Sequence, residues 1–272
     1  MRKVLHIIAL LFLTLAPLPG REREPWLDEL DAELVKKAEY DARKEARIGQ
    51  LRGRLRAALD DRERYGVTRE LYEEYQSYKY DSAYAYAQEM ARLAAVADLP
   101  DARVEAGCAT TFCLISAGLY KEAFDVMDGL RTDGVSPRTL LEYYKMQVRL
   151  NYSARGYSQT PPYWDIYSRA GEEYSRRILE MVPEGSPTWW EYQANYLMES
   201  AQYEEGIAAF NRLLADENLD LHSRAIFASS VGWLQHCLGR DDEAIKSLCE
   251  SAIFDLRSST KETTALRCSP ST

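Results

Sequence analysis

The sequence predicts an all-α protein in which about five antiparallel helix hairpins stack side by side, behind one long amphipathic helix. Apolar residues recur at spacings of three and four, no segment shows the alternation typical of strands, and one short turn pattern repeats. With 272 residues, of which 46% are hydrophobic, the chain is long enough to bury a substantial core.

The repeated turn pattern runs from a small residue through polar residues to a second small residue. It occurs, once in a weaker form, at residues 78–83, 117–123, 200–206 and 238–244. Small residues tolerate tight turns and acidic residues favour a helix N-terminus, so each copy marks the joint inside one hairpin. The last small residues of the copies are 40, 83 and 38 positions apart. Because 83 corresponds to two units, a fifth hairpin is predicted at about residues 139–182.

Helix-breaking residues fall between the predicted helices. They lie at or near residues 100, 134–137, 161–162, 183–187 and 216–220. The linker of the middle unit, residues 156–164, is longer than usual and is therefore predicted to protrude as a loop.

A single long amphipathic helix is predicted from Trp26 to Leu59, since its apolar residues mostly recur three or four apart. Gly49 and Gly53 are its weakest points. We favour a cap that lies along the first hairpin, because the terminal unit of a repeat stack needs covering. The alternative is a self-association helix, which would allow a homodimer.

Residues 1–20 have the layout of a secretory signal peptide. Arg2 and Lys3 precede an apolar run over residues 4–16, and a segment with proline and glycine follows up to Gly20. The run is shorter than the ~20 residues that span a bilayer, so we expect cleavage rather than a membrane anchor. The mature protein is then exported and periplasmic, without a membrane span.

The mature chain divides into the N-terminal helix (21–64), the helical repeat array (65–257) and a short tail (258–272). In the tail, Ser259 and Glu262 stand at capping-box spacing, which predicts the start of another helix. The chain stops soon afterwards, so this new helix would be incomplete and the preceding helix would lack a neighbour. We interpret the tail as the mark of a shortened gene product or fragment.

The net charge of −9 argues against nucleic acid or an anionic membrane surface as a direct partner. Catalysis is not expected either. The mature chain has two histidines, His222 and His236, and the neighbouring Cys237 points ~100° away from His236 on a helix. Zinc-binding spacings and glycine-rich phosphate loops are missing from the sequence, so we expect no catalytic residue, no metal and no cofactor. A disulfide between Cys237 and Cys249 stays open, although geometry does not favour it.

These turns and the small residues around them resemble the tetratricopeptide-repeat (TPR) superfamily over residues 65–256. The matching positions are Thr111, Ala194, Gly232, Trp190, Ala123, Gly206 and Ala244. Gly206 departs from the usual alanine and Asp241 from the usual aromatic residue. The resemblance implies a right-handed superhelical stack that acts by binding a partner.

Residues 72–83 and the tail up to Arg267 resemble, more narrowly, exported bacterial TPR proteins of uncharacterised function. The repeats of that family are similar to periplasmic sensor regions of membrane-linked transcriptional regulators. The resemblance therefore implies a sensing role.

The superfamily resemblance also implies a ligand site, because the same positions in the first helix of each hairpin face a concave groove. Carried over to this chain, they are Tyr72, Tyr75, Phe112, Asn195, Glu199, Trp233 and His236. Aromatic rings beside polar groups suit a protein, peptide or glycan-like ligand, although each of these residues could instead pack against a neighbouring hairpin. A second hypothesis is an assembly scaffold that docks through its N-terminal helix, and an α-helical hydrolase is a distant third.

Overall fold

The computed structural model describes residues 24–258, and this range contains twelve α-helices and no strand. Two helices come first, α1 (Pro25–Val35) and α2 (Lys37–Ala57). The other ten form five consecutive hairpins: α3 (Asp61–Tyr75) with α4 (Tyr80–Val96), α5 (Pro100–Ser116) with α6 (Tyr120–Asp128), α7 (Pro137–Ser158) with α8 (Tyr163–Met181), α9 (Pro187–Glu199) with α10 (Tyr203–Leu214), and α11 (Leu221–Cys237) with α12 (Asp241–Ser258).

The predicted all-α stack of about five hairpins is confirmed. The middle hairpin, expected at about residues 139–182, is α7 with α8. Both helices continue into the linker that was predicted to protrude, so only residues 159–162 separate them. The proposed signal peptide and the tail beyond Ser258 lie outside the described residues.

Hairpin turns close through residues in the left-handed backbone region. Gly118, Ala201 and Gly239 occupy the same position of the repeated turn pattern, and their φ values are +75°, +56° and +74°. After each turn the second helix leans closely on the first, with Ala123 fully buried and Ala244 3% exposed. The turn pattern therefore marks the joint inside a hairpin, as the sequence predicts.

Close helix crossing depends on small residues. A Cβ atom added to Gly232 would lie 3.1 Å from the backbone oxygen of Ala244 and 2.9 Å from Cγ of Leu248. Thr111 and Ala194 are fully buried at the corresponding crossings of earlier hairpins. Larger side chains at these positions would push the paired helices apart.

The segment predicted as one long N-terminal helix is two helices that turn at Lys36. Helix α2 covers the first hairpin, where Ile48 and Leu51 join the apolar cluster shared with α3, α4 and α5. Helix α1 instead packs on α12 at the far end of the array. The turn arises because one straight helix cannot follow both of these partners.

The contact between α1 and α12 links the two ends of the array. Arg257 donates hydrogen bonds to Glu29 at 2.8 Å and to Glu33 at 2.9 Å, and Glu33 is only 3% exposed. Tyr40 and Lys36 also donate to the Glu33 carboxylate. Helix α12 therefore has a neighbour on its outer side, contrary to the expectation drawn from the tail.

Between residues 24 and 258, the helices are too short or too polar for any of them to cross a lipid bilayer.

Candidate functional site

Three first helices of the array begin in the same way, with proline at their first position. They are α5, α7 and α9, which start at Pro100, Pro137 and Pro187. Proline suits this position because the first N–H of a helix has no intrahelical partner. Helices that begin alike and stack side by side present the same positions to the same surface.

The shared register brings nine side chains to one surface. The positions lie five, eight and twelve residues after each proline, and their occupants are Glu105, Glu142, Tyr192, Cys108, Lys145, Asn195, Phe112, Arg149 and Glu199. All nine line two cavities that open on the first-helix side of the stack.

The two cavities adjoin each other. Cavity I, of about 340 Å³, lies between α3, α5 and α7. Cavity II, of about 460 Å³, lies between α5, α7 and α9 and reaches Ile226 of α11. Cys108, Glu142 and Met146 line both. We call the continuous surface of cavities I and II the groove.

Arg149 occupies a special position in the groove. Its guanidinium carbon lies 4.3 Å from the centroid of the Phe112 ring, in cation–π contact. Arg149 makes no ion pair or hydrogen bond with any other side chain between residues 24 and 258. Arg149 remains accessible to solvent, but the protein atoms packed around its guanidinium remove part of its hydration. This desolvation lowers the pKa of the guanidinium.

Glu191 is a second charged side chain of cavity II; it makes no hydrogen bond or ion pair with another side chain in the described part of the chain, although Lys145 attracts it electrostatically. Desolvation raises the pKa of its half-buried carboxyl group. Other groove carboxylates are paired: Glu142 accepts from Lys145 at 3.1 Å, and Glu199 accepts from Arg155. Arg149 and Glu191 are therefore a donor and an acceptor that a ligand can use.

Four of the residues predicted to contact a ligand line the groove. Tyr72 and Phe112 border cavity I, and Asn195 and Glu199 border cavity II. Tyr72 is only 7% exposed, so little of its ring is open to the cavity.

The other three predicted residues lie elsewhere. Tyr75 is 1% exposed: its ring stacks on Tyr86 at 5.5 Å, and its hydroxyl accepts a hydrogen bond from Arg52 of α2. Trp233 and His236 are exposed on α11 and border neither cavity. Trp233 stands edge-on to Tyr203, and Nδ1 of His236 lies 2.8 Å from the Asp241 carboxylate.

The sequence reasoning missed Arg149, Glu142 and Glu191, two of which lie on the middle hairpin. That hairpin matches the repeat motif poorly, so no groove position was carried over to it. The three prolines were the available signal, since counting twelve residues from Pro137 leads to Arg149, as it leads from Pro100 to Phe112.

A third cavity, of about 450 Å³, lies beside the second helix α8. Two of its charged side chains are paired, since Arg176 donates a 2.7 Å hydrogen bond to Glu173. Its lining comes from α8 and α9 alone and does not extend along successive first helices.

Metal and disulfide chemistry have no site in residues 24–258. No group of histidine, cysteine and acidic side chains there is arranged to hold a metal ion. The four cysteines in this range are free thiols, so Cys237 and Cys249 are not bridged.

Stacked helix hairpins with a groove along their first helices define the class of helical-repeat proteins that mediate interactions with other proteins. Comparison with protein families narrows this class. The family described as the SusR N-terminal TPR domain matches residues 34–268, and the chain belongs to this family. The resemblance to TPR proteins is thus confirmed. No curated protein matches the chain.

Proposed function

We propose that this protein is the sensing region of a SusR-like regulator and binds a peptide, protein or glycan-like partner in its groove without catalysing a reaction. The observation that carries the proposal is the pair of adjoining cavities lined by equivalent positions of successive first helices. Membership in a TPR family supports binding as the mode of action.

The groove has the features of a ligand site. It combines apolar lining residues such as Met146 and Ile226 with two unpaired charged side chains, Arg149 and Glu191. Binding sites are mostly apolar concave surfaces with a few polar groups that orient the ligand. A partner that supplied an anionic group and a donor would satisfy both side chains.

The scaffold alternative has less support. It requires the N-terminal helix to offer its apolar face to another protein. Ile48 and Leu51 of α2 are buried against α3, and α1 packs on α12. Ile48 and Leu51 are therefore used within the chain itself, whereas Leu34 and Val35 of α1 stay exposed, at 49% and 85%.

We also propose that the protein is exported to the periplasm and that cleavage follows Gly20. The support is the charged, apolar and small-residue order of residues 1–20. Mass spectrometry of the periplasmic protein should find Arg21 at its N-terminus. An intact Met1 N-terminus in the cytoplasmic fraction would contradict export.

The binding proposal is tested by filling the groove. Ser153 of α7 is half-buried and lines cavity II, so Ser153→Trp occupies space that a ligand needs. The matched control is Ala208→Trp, at an exposed position of the second helix α10.

The ligand is first identified by capture: the mature chain binds molecules from periplasmic extract, and mass spectrometry identifies each of them.

Calorimetry with the identified molecule then compares the three proteins. We expect Ser153→Trp to weaken binding at least tenfold and Ala208→Trp to leave it unchanged. Equal affinity of all three proteins would contradict a ligand site in the groove.

A further inference from the structure

A row of aromatic rings joins the second and third hairpins near their turns. The ring centroid of Tyr157, at the end of α7, lies 5.2 Å from that of Tyr120 on α6. Further along α6, Phe124 stacks on Tyr167 of α8 at 5.4 Å, and Tyr167 lies 6.3 Å from Tyr163. Because Tyr120 and Phe124 are four residues apart, they lie on one face of α6. The five rings therefore form one continuous row.

Much of this row is open to solvent. Tyr157 is 75% exposed and Tyr163 is 53% exposed. Two exposed aliphatic residues stand beside the rings in sequence, Leu119 at 43% and Ile166 at 45%. We call the five rings and these two aliphatic side chains the aromatic patch. None of its members borders cavity I or cavity II, so the patch is separate from the groove.

The segment that supplies the most exposed ring of the patch carries no charge. Residues 156–164 read Gly-Tyr-Ser-Gln-Thr-Pro-Pro-Tyr-Trp, and eight of the nine are exposed. Charged residues make up 28% of the whole chain, so their absence from a solvent-facing stretch is unusual. The cores of protein interfaces are poor in charged residues and rich in tyrosine and tryptophan. This segment has the composition of such a core.

The size of the patch fits an interface between two proteins. With about 200 Å² for one large side chain, the exposed part of the patch amounts to roughly 500 Å². A standard interface buries about 800 Å² on each partner, and a little more than half of that area is apolar. The rings also hold one another in place by stacking, so they lose little conformational freedom on binding.

The charges beside the patch favour a second copy of this chain as the partner. Helices α6 and α8 carry exposed charged side chains of both signs there: Lys121, Glu122, Asp125, Asp165 and Arg169. A strongly charged partner, or the phosphates of a lipid surface, would meet charges of its own sign. In a twofold dimer the same surface faces itself, so basic groups of one copy can pair with acidic groups of the other.

We propose that the protein forms a homodimer in which the aromatic patches of two copies pack against each other across a twofold axis. The interface lies near the turns of the second and third hairpins and not on the N-terminal helices. This inference goes beyond the proposed function, because the patch and the groove share no residue and both grooves stay open in the dimer.

The test compares two aspartate variants of the mature protein by sedimentation velocity over a dilution series. Ile166→Asp places a charge in the interface twice, once from each copy. The matched control is Ile245→Asp, since Ile245 is 48% exposed and also lies near the start of a second helix, α12. Circular dichroism and thermal unfolding verify that the variants fold.

We expect the natural protein to sediment with twice the mass of one chain and to dimerise with a Kd of about 1 µM or tighter. Ile166→Asp and Tyr157→Asp should each raise this Kd about a hundredfold, because each would bury two uncompensated carboxylates in the interface. Ile245→Asp should leave it unchanged. Hydrogen–deuterium exchange of residues 157–167 should be slower in the dimer than in the dilute monomer.

Two results would overturn the proposal. A dimer that Ile245→Asp breaks and Ile166→Asp spares would place the interface elsewhere. The mass of a single chain at every concentration would exclude the dimer. In that case, sedimentation with phosphatidylethanolamine vesicles that Ile166→Asp abolishes would assign the patch to a lipid surface. Neither result bears on the groove, which Ser153→Trp tests separately.

Discussion

Gly118, Ala201 and Gly239 hold the same place in three hairpin turns, and all three have a positive φ. Glycine adopts this left-handed conformation without strain, whereas an alanine there has a Cβ atom close to the next carbonyl group. Ala201 is thus the one non-glycine residue of the three, and its turn is strained where the other two are not.

We predict that Ala201→Gly raises the free energy of unfolding by about 1 kcal/mol, because it removes this strain. Gly239→Ala should lower it by about the same amount, since no atom lies within 4 Å of the added Cβ and strain is the main effect. Urea denaturation of both variants measures the changes. Changes of the same sign would contradict the shared turn geometry.

Single residues also show how far a sequence can predict a site. Phe112 and Glu199 could be placed in the groove because the repeat alignment of their helices was sound. Tyr75 stands on the same first helix as Tyr72, yet it lies under α2 and bonds to Arg52. No repeat alignment includes α2, so this burial could not be read from the sequence.

Helix crossings set the geometry of each hairpin. At the crossing of α11 and α12, Gly232 lies against the backbone of Ala244, which cannot move aside as a flexible side chain can. The hairpins were predictable because such small residues and the spacing of apolar residues are local signals.

We predict that Gly232→Ala lowers the free energy of unfolding by about 1–3 kcal/mol through overpacking. Gly49→Ala is the matched control. Its added Cβ, on the exposed side of α2, meets nothing within 4 Å, so the better helix propensity of alanine should raise stability by up to about 1 kcal/mol. Thermal unfolding compares the two variants. A neutral Gly232→Ala would argue against the close crossing.

The division between α1 and α2 was not predictable from local signals. Apolar periodicity continues through Lys36, and the glycines at 49 and 53 are weaker helix formers than the residues around the turn. The helix turns because α12 and α3 bind its two halves. Such tertiary contacts override propensity, which is a weak local preference.

On the scale of the whole molecule, the N-terminal helices join the first hairpin to the last. Arg257 reaches Glu33 across a sequence separation of 224 residues. No periodicity or motif signals a contact of this range, so the sequence predicted the stack but not the link between its ends.

The contact between α1 and α12 should make the stability of the protein depend on pH. The buried Glu33 carboxylate accepts hydrogen bonds from Tyr40, which has the largest effect on its pKa, and from Arg257. These bonds lower the pKa of Glu33 from 4.5 to about 2. A lowered folded-state pKa means that the stabilisation is complete above about pH 4.5 and is lost as the pH falls towards 2.

We therefore predict that Glu33→Gln destabilises the protein at pH 6 and that its difference from the natural protein shrinks as the pH approaches 2. Urea midpoints of both proteins across this range provide the measurement. A difference that stays constant with pH would show that the ionised carboxylate does not hold α1 on α12.

The central claim is that the groove along the first helices is where a partner binds. Site-specific photo-cross-linking in living cells tests it most directly, with benzoylphenylalanine in place of Met146, which borders both cavities, or in place of Ala208 on a second helix. We predict a cross-linked adduct from position 146 and none from position 208. An adduct from position 208 alone would contradict the account.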